Sequence, residues 1–250
     1  MNYEKIIAER PTKTVYKDED KAIKLFIQNY SKADILNEAL NQARVEETNL
    51  NIPKLIEVRK IDDRWALVFE YVEGNTLEEL MTKDPESLDK YLQLFVDMQI
   101  EVLSKKVPLL GRIKDKMQRK ISDAENIETN IKYELLHRLE GLPIGNSVCH
   151  GDFNPSNIII KEDGTLYVID WSHVTQGNAA FDAARTYLLF NMDGKKELAE
   201  KYLNLFENKA DISKKDILRC VPIVAATQKT KKIASEQEFL SKWIDVVDYI

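Results

Sequence analysis

Three polar residues in the middle of the chain have the types and the spacing needed to bind a metal ion and a hydroxyl group. Asp152 and Asn157 lie in the segment HGDFNPSN, residues 150–157, and Asp170 follows Asn157 by 13 residues. Carboxylate and amide oxygens suit Mg²⁺, which needs few protein ligands when phosphate and water complete its shell. A carboxylate can also accept the proton of a hydroxyl group held against it. Either Asp alone would more often be a turn or strand-end residue, so the interpretation depends on the complete set.

The wider pattern resembles the signature of the aminoglycoside phosphotransferase and choline kinase family. Residues 150–157, called the catalytic loop below, are followed by an apolar stretch, the turn Glu162-Asp163-Gly164 and a strand that ends at Ile169-Asp170. The same arrangement is similar to the catalytic loop and the metal-binding Asp of protein kinases. The resemblance covers most of the chain and is strongest from His150 to Leu189.

The resemblance implies a role for each matched residue. Asp152 would accept the proton of the acceptor hydroxyl, while Asn157 and Asp170 would hold Mg²⁺. A free Asp has a pKa of about 3.9 and is a weak base at neutral pH. It would still serve here because the transition state of phosphoryl transfer is loose, so orientation matters more than basicity. His150 is expected to be structural, and Asp182 is expected to brace the catalytic loop.

The resemblance also predicts a bound nucleoside triphosphate, ATP or GTP, as phosphoryl donor. Lys24 in the strand KAIKLF would hold the α- and β-phosphates and would pair with a Glu on the following helix. The interval typical of the family selects Glu38. The apolar stripe of that helix centres near Ala43, which favours Glu46 instead, so both glutamates remain candidates.

The adenine would be bound mainly by backbone at the end of the last strand of the N-terminal lobe. The backbone of Glu70 and Val72 would meet the adenine edge, and Phe69 would lie at the back of the pocket. Kinase loops that cover the phosphates commonly use glycine for close backbone approach. This chain has no glycine before Gly74, and its corresponding loop is Arg10–Thr14. Lys13 or the two threonines of that loop would have to contact phosphate instead.

The pattern of elements predicts an α+β fold of the protein-kinase-like, bilobal kind. Residues 1–73 would form a nucleotide-binding lobe, a small antiparallel sheet with one helix that begins after Ser31. Residues 74–250 would form a larger, mainly helical lobe that carries the catalytic residues and binds the acceptor. Strands are predicted at residues 13–17, 21–27, 54–61 and 65–71, and in a strand-rich stretch at residues 147–169.

The segment after Asp170 indicates a small acceptor. Only Trp171 to Gly177 separate it from the helical segment that begins at Asn178, whereas protein kinases carry a long activation segment there. Aminoglycosides, choline, a sugar, a nucleoside-like thiosugar and homoserine all remain open as acceptors. The net charge of −6 slightly favours a cationic or amine-bearing acceptor over an anionic one.

Two other functions stay open at this stage. The glycine-free loop suggests a nucleotide-binding homologue that does not catalyse, but the intact Asp152, Asn157 and Asp170 argue against it. A protein kinase is the second alternative, and the short segment after Asp170 argues against that.

Composition excludes several broader classes. The chain has 250 residues, 44% hydrophobic and 31% charged, which is typical of a soluble globular protein. No apolar run suits a membrane span or a secretory signal. Cys149 and Cys220 are far apart and lack metal-ligand spacing, so we expect a reduced, cytoplasmic setting. The negative charge argues against a nucleic-acid partner, and the oligomeric state is left open.

Overall fold

The computed structural model describes residues 5–244, which divide into two compact units. The first unit contains residues 5–86 and 155–173, and the second contains residues 87–154 and 174–244. The catalytic loop therefore begins in the second unit and ends in the first. The sequence assigns nucleotide binding to a lobe of residues 1–73 and catalysis to a lobe of residues 74–250. This assignment of functions to two lobes stays a prediction. No helix within residues 5–244 has both the length and the apolar character needed to cross a membrane.

The described residues contain ten strands and nine α-helices. The strands are β1 (Lys5–Arg10), β2 (Lys13–Asp18), β3 (Lys21–Phe26), β4 (Leu55–Ile61), β5 (Arg64–Glu70), β6 (Asn75–Thr76), β7 (Ser147–Cys149), β8 (Ile158–Ile160), β9 (Leu166–Val168) and β10 (Thr175–Gly177). The helices are α1 (Lys32–Glu46), α2 (Leu77–Lys83), α3 (Leu88–Ser104), α4 (Ile113–Ser122), α5 (Thr129–Gly141), α6 (Ala179–Met192), α7 (Lys196–Ala210), α8 (Lys214–Lys229) and α9 (Gln237–Ile244).

The first unit is built on an antiparallel sheet with the strand order β1-β2-β3-β5-β4. Its central strands are buried on both faces because their apolar residues alternate between two clusters. Ile23 and Leu25 pack on one face, whereas Phe26 packs on the other against Ile35 and Ala39 of α1. The sheet agrees with the predicted antiparallel strands. β1 was not predicted, because its side chains are mostly exposed and carry no apolar pattern.

Helix α1 starts where the sequence predicts, since the Ser31 Oγ accepts a hydrogen bond from the Asp34 N–H at 3.3 Å. The prediction that its apolar stripe centres near Ala43 was wrong. Ala43 is exposed, and the buried positions include Gln42 as well as Ile35 and Ala39. The Gln42 Nε2 donates to the Pro53 carbonyl at 2.8 Å, so this buried amide is satisfied.

A smaller sheet in the first unit joins β6 to the hairpin β8–β9. Gly74 precedes β6 and lies so close to β8 that an added Cβ would stand 2.3 Å from the Ile160 carbonyl oxygen. Glycine is therefore required at this approach, since a Cβ could fit only if the backbone moved.

The second unit is mainly helical, as predicted. Helix α6 packs against both α7 and α8, and its residues from Ala180 to Leu188 are all buried. An aromatic group around α3 connects this core to the catalytic loop, because the ring centroids of Phe95 and Phe153 are 4.9 Å apart. The antiparallel pair β7–β10 lies immediately before the catalytic loop and before α6.

Candidate active site

A cavity of about 530 Å³ lies within the first unit, in the size range of small-molecule sites. Its wall combines apolar side chains, including Ala22, Phe69 and Ile159, with a group of charged side chains that includes Lys24 and Asp170. An apolar surface suits a purine base, and fixed cations suit phosphate groups. The cavity thus contains the residues that the sequence assigns to the nucleotide.

Lys24 makes two ion pairs at one end of this cavity. Its Nζ lies 2.5 Å from the Glu38 Oε1 and 2.8 Å from the Asp170 Oδ1. The pairing follows from sheet geometry, because alternation in β3 places Lys24 on the same face as Phe26, the face that α1 covers. Burial of Lys24 favours the neutral amine, but the carboxylates of Asp170 and Glu38 outweigh it and raise its pKa. Glu46 instead accepts a hydrogen bond from the Leu55 N–H at 2.7 Å.

Asp170 is held by two lysines. Its Oδ2 lies 3.1 Å from the Lys13 Nζ, in addition to the contact with Lys24. Burial opposes ionisation of this carboxyl group, but the charges of Lys24 and Lys13 hold its pKa well below the ordinary range. Asp170 also has a φ of 61°, an uncommon conformation for a residue with a side chain. The carboxylate is therefore ionised and fixed in direction.

The loop predicted to cover the phosphates is a tight turn. Arg10 pairs with Lys13 across the β1–β2 hairpin, so only Pro11 and Thr12 lie outside the strands. Burial and the charge of Lys24 lower the pKa of Lys13, against the pull of Asp170 and Glu38. The turn needs no glycine, and Lys13 brings a second ammonium group to the cavity.

Asn157 and Asp170 lie at the same end of the β8–β9 hairpin. Ile158 pairs with Val168, and the Ile169 N–H donates to the Asn157 carbonyl at 3.0 Å. One amide oxygen and one carboxylate beside a phosphate site fit Mg²⁺, which commonly uses one or two protein ligands together with phosphate and water. Within residues 5–244 no group of three or more His, Cys, Asp or Glu side chains could hold a metal ion. A metal here would therefore depend on the nucleotide for most of its ligands.

The end of β5 presents backbone groups to the same cavity, whose wall includes Phe69, Glu70 and Val72. The Glu70 N–H donates to the Lys54 carbonyl at 3.0 Å, so this N–H is occupied. The backbone hydrogen bonds described for residues 5–244 include none from the Val72 N–H. The Glu70 carbonyl and the Val72 N–H therefore stay the predicted adenine contacts.

The contacts of Lys24 predict strong coupling between it and Glu38. We expect a double-mutant cycle of Lys24→Ala and Glu38→Ala on kcat/KM to show a coupling of about 0.5 kcal/mol or more, because the two groups form one buried ion pair. The matched control is Glu46→Ala on the same helix, whose carboxylate accepts from the Leu55 N–H of β4 and which should be additive with Lys24→Ala. Additivity of the Glu38 change would contradict a shared role.

The catalytic loop residues of the second unit are fixed by backbone contacts. Gly151 has a φ of 81°, a conformation that glycine adopts without strain. His150 is fully buried, its Nδ1 accepts from the Asp152 N–H at 3.3 Å, and its ring packs against Phe153. These contacts agree with a structural role for His150. They leave the Asp152 side chain about 30% exposed.

Asp182 connects the catalytic loop to the helical core. Its Oδ1 accepts from the Gly151 N–H at 2.6 Å, and its Oδ2 accepts from the Gln99 Nε2 at 3.1 Å. The Gln99 Oε1 in turn accepts from the Tyr202 hydroxyl at 2.7 Å. Burial raises the pKa of Asp182, although His150 and these donors oppose the rise. Gln99 and Tyr202 were not predicted, because nothing in their local sequence marks them.

Removal of the Asp182 carboxylate is expected to destabilise the fold. Asp182→Ala removes the acceptor of the Gly151 N–H and one of the two acceptors of the buried Gln99 amide, which keeps its bond to the Thr186 hydroxyl. We expect a loss of about 2–4 kcal/mol in urea unfolding. Because the pKa of Asp182 is raised in the folded state, ionisation of its carboxyl group lowers the free energy of unfolding of the wild type. This loss develops as the pH rises above about 3.9. The difference between wild type and variant should therefore be smaller at about pH 7 than at about pH 4.

The matched control is Asp97→Ala, in an exposed ion pair with Lys209, which should cost about 1 kcal/mol or less. Equal losses at both positions would contradict the bracing role of Asp182.

Arg185 is a site residue that the sequence prediction missed. It lies on α6 one turn after Asp182, and its Nη2 donates to the Asp152 Oδ1 at 3.1 Å. The Asn154 Nδ2 donates to the Asp152 carbonyl at 2.9 Å and approaches its Oδ2 at 3.4 Å. The direction of the Asp152 carboxylate is therefore set by a neighbouring cation as well as by the loop. Arg185 lies three residues after Asp182, and this spacing is the feature of the sequence that could have identified it as a site residue.

Comparison with known proteins supports the same assignment of fold. A model of the phosphotransferase enzyme family (APH) matches residues 13–215. A thermostable mutant of aminoglycoside phosphotransferase APH(4)-Ia, in a ternary complex with AMP-PNP and hygromycin B, aligns with 97% of this chain and 91% of its own at a TM-score of 0.71 and 13% identity. Choline kinase LicA from Streptococcus pneumoniae aligns with 98% and 93% at a TM-score of 0.66 and 17% identity.

An aminoglycoside-3'-phosphotransferase of type VIII aligns with 90% of this chain and 92% of its own, at a TM-score of 0.63 and 14% identity. At these identities the likeness establishes the fold, and the predicted α+β fold of the protein-kinase-like kind is confirmed. A comparison with curated protein sequences finds no match.

Proposed function

Because the chain belongs to the phosphotransferase enzyme family, we propose that it transfers the γ-phosphoryl group of a nucleoside triphosphate to a hydroxyl group of a small molecule. The observation that carries the proposal is the ion-paired group of Lys24, Glu38, Asp170 and Lys13 at the end of an apolar cavity. Two ammonium groups and two carboxylates beside a base-sized apolar surface match the needs of a metal–nucleotide complex.

On the donor side, Lys24 and Lys13 would bind the phosphate oxygens. Glu38 keeps Lys24 charged and directed, because its carboxylate remains paired when a phosphate approaches. Asn157 and Asp170 would hold Mg²⁺, which when bound neutralises negative charge on the phosphates. Neighbouring structures support a nucleotide donor, since choline kinase LicA binds AMP and the aminoglycoside phosphotransferase binds AMP-PNP.

On the acceptor side, Asp152 would orient the hydroxyl group and accept its proton. The Arg185 guanidinium and the brace from Asp182 fix the carboxylate before the acceptor binds. Preorganisation of this kind matters because an attacking oxygen must lie in line with the phosphorus atom. The proton can leave late in a loose transition state, so the orientation of the carboxylate matters more than its basicity.

The segment after Asp170 supports a small acceptor over a peptide. Trp171–His173 form a single 3₁₀ turn, and Trp171 is buried, with its Nε1 donating to the Val168 carbonyl at 3.0 Å. Thr175–Gly177 then form β10, which pairs with β7. Every residue of this short segment outside Val174 is thus part of a regular element or turn, with no length left for a peptide-binding platform.

The test is ADP release by the purified protein with ATP and Mg²⁺, in the presence of a panel of small alcohols and of generic peptides. We expect turnover with at least one small alcohol and none with peptides. Asp152→Ala serves as the negative control. Peptide phosphorylation without turnover of any small alcohol would overturn the proposal and favour a protein kinase.

A further inference from the structure

Of the two terminal nitrogens of the Arg185 guanidinium group, one donates a hydrogen bond and the other has no acceptor among the described residues. Arg185 is about 9% exposed, and its Nη2 bonds to Asp152. Its Nη1 is buried and has no hydrogen-bond partner among the described residues 5–244. A buried guanidinium nitrogen without an acceptor is costly, so its retention next to the predicted base suggests that a ligand supplies the acceptor.

Two elements of the second unit place more cations around Arg185. Helix α4 and helix α8 are packed against each other, and α8 is also packed against α6. The Asn126 Nδ2, in the segment after α4, donates to the Lys229 carbonyl at the end of α8 at 2.9 Å. This contact holds the turn that carries Lys231 beside the helix that carries Lys120.

The charges of this cluster act on one another. Burial and the charge of Arg185 lower the pKa of Lys120. Burial, Lys120 and Lys231 lower the pKa of Lys116 to about 8. The pKa of Lys231 is also lowered to about 8, by burial and then by Arg185.

The opposing charges are few. Asp152 and Glu236 are the acids that raise the pKa of Lys231, and Asp152 already pairs with Arg185. Glu236 accepts a hydrogen bond from the Gln228 Nε2 at 2.6 Å. The region around the predicted base is therefore positive, although the whole chain carries a net charge of −6.

We infer that the acceptor carries an anionic group, a phosphate or a carboxylate, which Arg185, Lys120 and Lys231 bind beside Asp152. The inference rests on the proposed function and adds the class of substrate. Charge-assisted hydrogen bonds from a guanidinium and two ammonium groups suit such a group. They would repel the amine-bearing acceptors that the net charge of the sequence favours.

A direct binding measurement tests the anion site without any need for turnover. Inorganic phosphate is titrated into the protein at saturating ADP, which occupies the nucleotide cavity, with ionic strength held constant by chloride. We expect saturable binding by wild type and a loss of about tenfold or more in Lys120→Gln/Lys231→Gln, because each removes a charged donor. Both lysines keep part of their surface exposed, so the double variant should fold, and thermal unfolding checks this.

The matched control is Lys201→Gln/Lys209→Gln, which removes the same charge from exposed ion pairs on α7. It should bind phosphate as wild type does. Absence of saturable binding to wild type, or equal binding by the two double variants, would overturn the inference.

A turnover comparison separates this inference from the proposed function. Hydroxyl compounds are offered as neutral, amine-bearing, carboxylate-bearing and phosphate-bearing forms of one carbon skeleton. We expect kcat/KM to be highest for an anionic form and to fall selectively for it in the Lys120/Lys231 variant. Efficient transfer to neutral or amine-bearing alcohols alone would overturn the anionic acceptor and leave the kinase proposal intact. Phosphate binding by a protein that transfers no phosphoryl group would overturn the kinase proposal instead.

Discussion

Replacement of Asp152 by alanine is expected to lower kcat by about 10²–10⁴-fold, the usual contribution of a positioned proton acceptor. Nucleotide affinity should change little, because Asp152 is not among the residues that line the nucleotide cavity. Steady-state kinetics and calorimetric titration of ATP measure the two quantities separately.

Alanine at this position also removes the carboxylate that pairs with the Arg185 guanidinium. Part of the loss in kcat would then come from a displaced Arg185 side chain and not from the missing proton acceptor. Asp152→Asn is the control, since it keeps the size of the side chain and an oxygen for Arg185 while removing the basic group. Both variants should lose activity to a similar extent, and Asp152→Asn should unfold near the wild-type temperature. A kcat within about threefold of wild type in either variant would remove Asp152 from the proton-accepting role.

Replacement of Asp170 by asparagine is expected to weaken binding of the Mg²⁺–ATP complex by about tenfold or more, because a charged oxygen ligand is lost. Metal-free ATP should bind as well as before or more tightly. The same change removes the negative charge that repels phosphate and that pairs with Lys24 and Lys13. The two affinities should therefore move in opposite directions.

Calorimetric titration of ATP with and without Mg²⁺ gives both affinities for wild type and variant. Glu38→Gln serves as the comparison, because it removes a charge next to the same lysine without removing a metal ligand. It should affect the two forms of ATP to a similar degree. Equal losses for both forms in Asp170→Asn would show that Asp170 does not act through a metal ion.

The residues of the catalytic loop could be predicted because their signal is local. Asp152, Asn157 and Asp170 lie within 19 residues of sequence, and the hairpin between the last two brings Asn157 and Ile169 into backbone contact. A hairpin joins its two ends whatever the rest of the fold does. The family signature and the predicted hairpin together therefore predicted that Asn157 and Asp170 lie close to each other.

The helix register near Lys24 could not be read with the same certainty. Leu36 and Leu40 are apolar but 44% and 48% exposed, whereas the polar Gln42 is buried. Each step along a helix turns it by about 100°, so counting the wrong leucines rotates the apparent buried face away from Glu38. Only the Pro53 carbonyl, which accepts from Gln42, explains why an amide occupies the interior.

The basic cluster was out of reach for a different reason. Three elements that are widely separated in sequence carry Lys120, Arg185 and Lys231. No pattern in the sequence of its own helix or turn distinguishes any of these residues. The net charge of the chain favours a cationic acceptor, opposite in sign to the acceptor that we propose. Net charge averages over the whole surface, whereas binding depends on the field at one site.

The hydrogen-bonded chain from Gly151 through Asp182 and Gln99 to Tyr202 has a consequence for the response to heat. The side chains of Asp182, Gln99 and Tyr202 are buried, and the helices that carry them form the core of the second unit. A loop tied in this way cannot open locally without breaking bonds of the core. The Gly151 amide should therefore exchange its hydrogen as slowly as amides in the middle of α3 and α6. On warming, the capacity for turnover should persist up to the cooperative melting of the helical unit and disappear together with it.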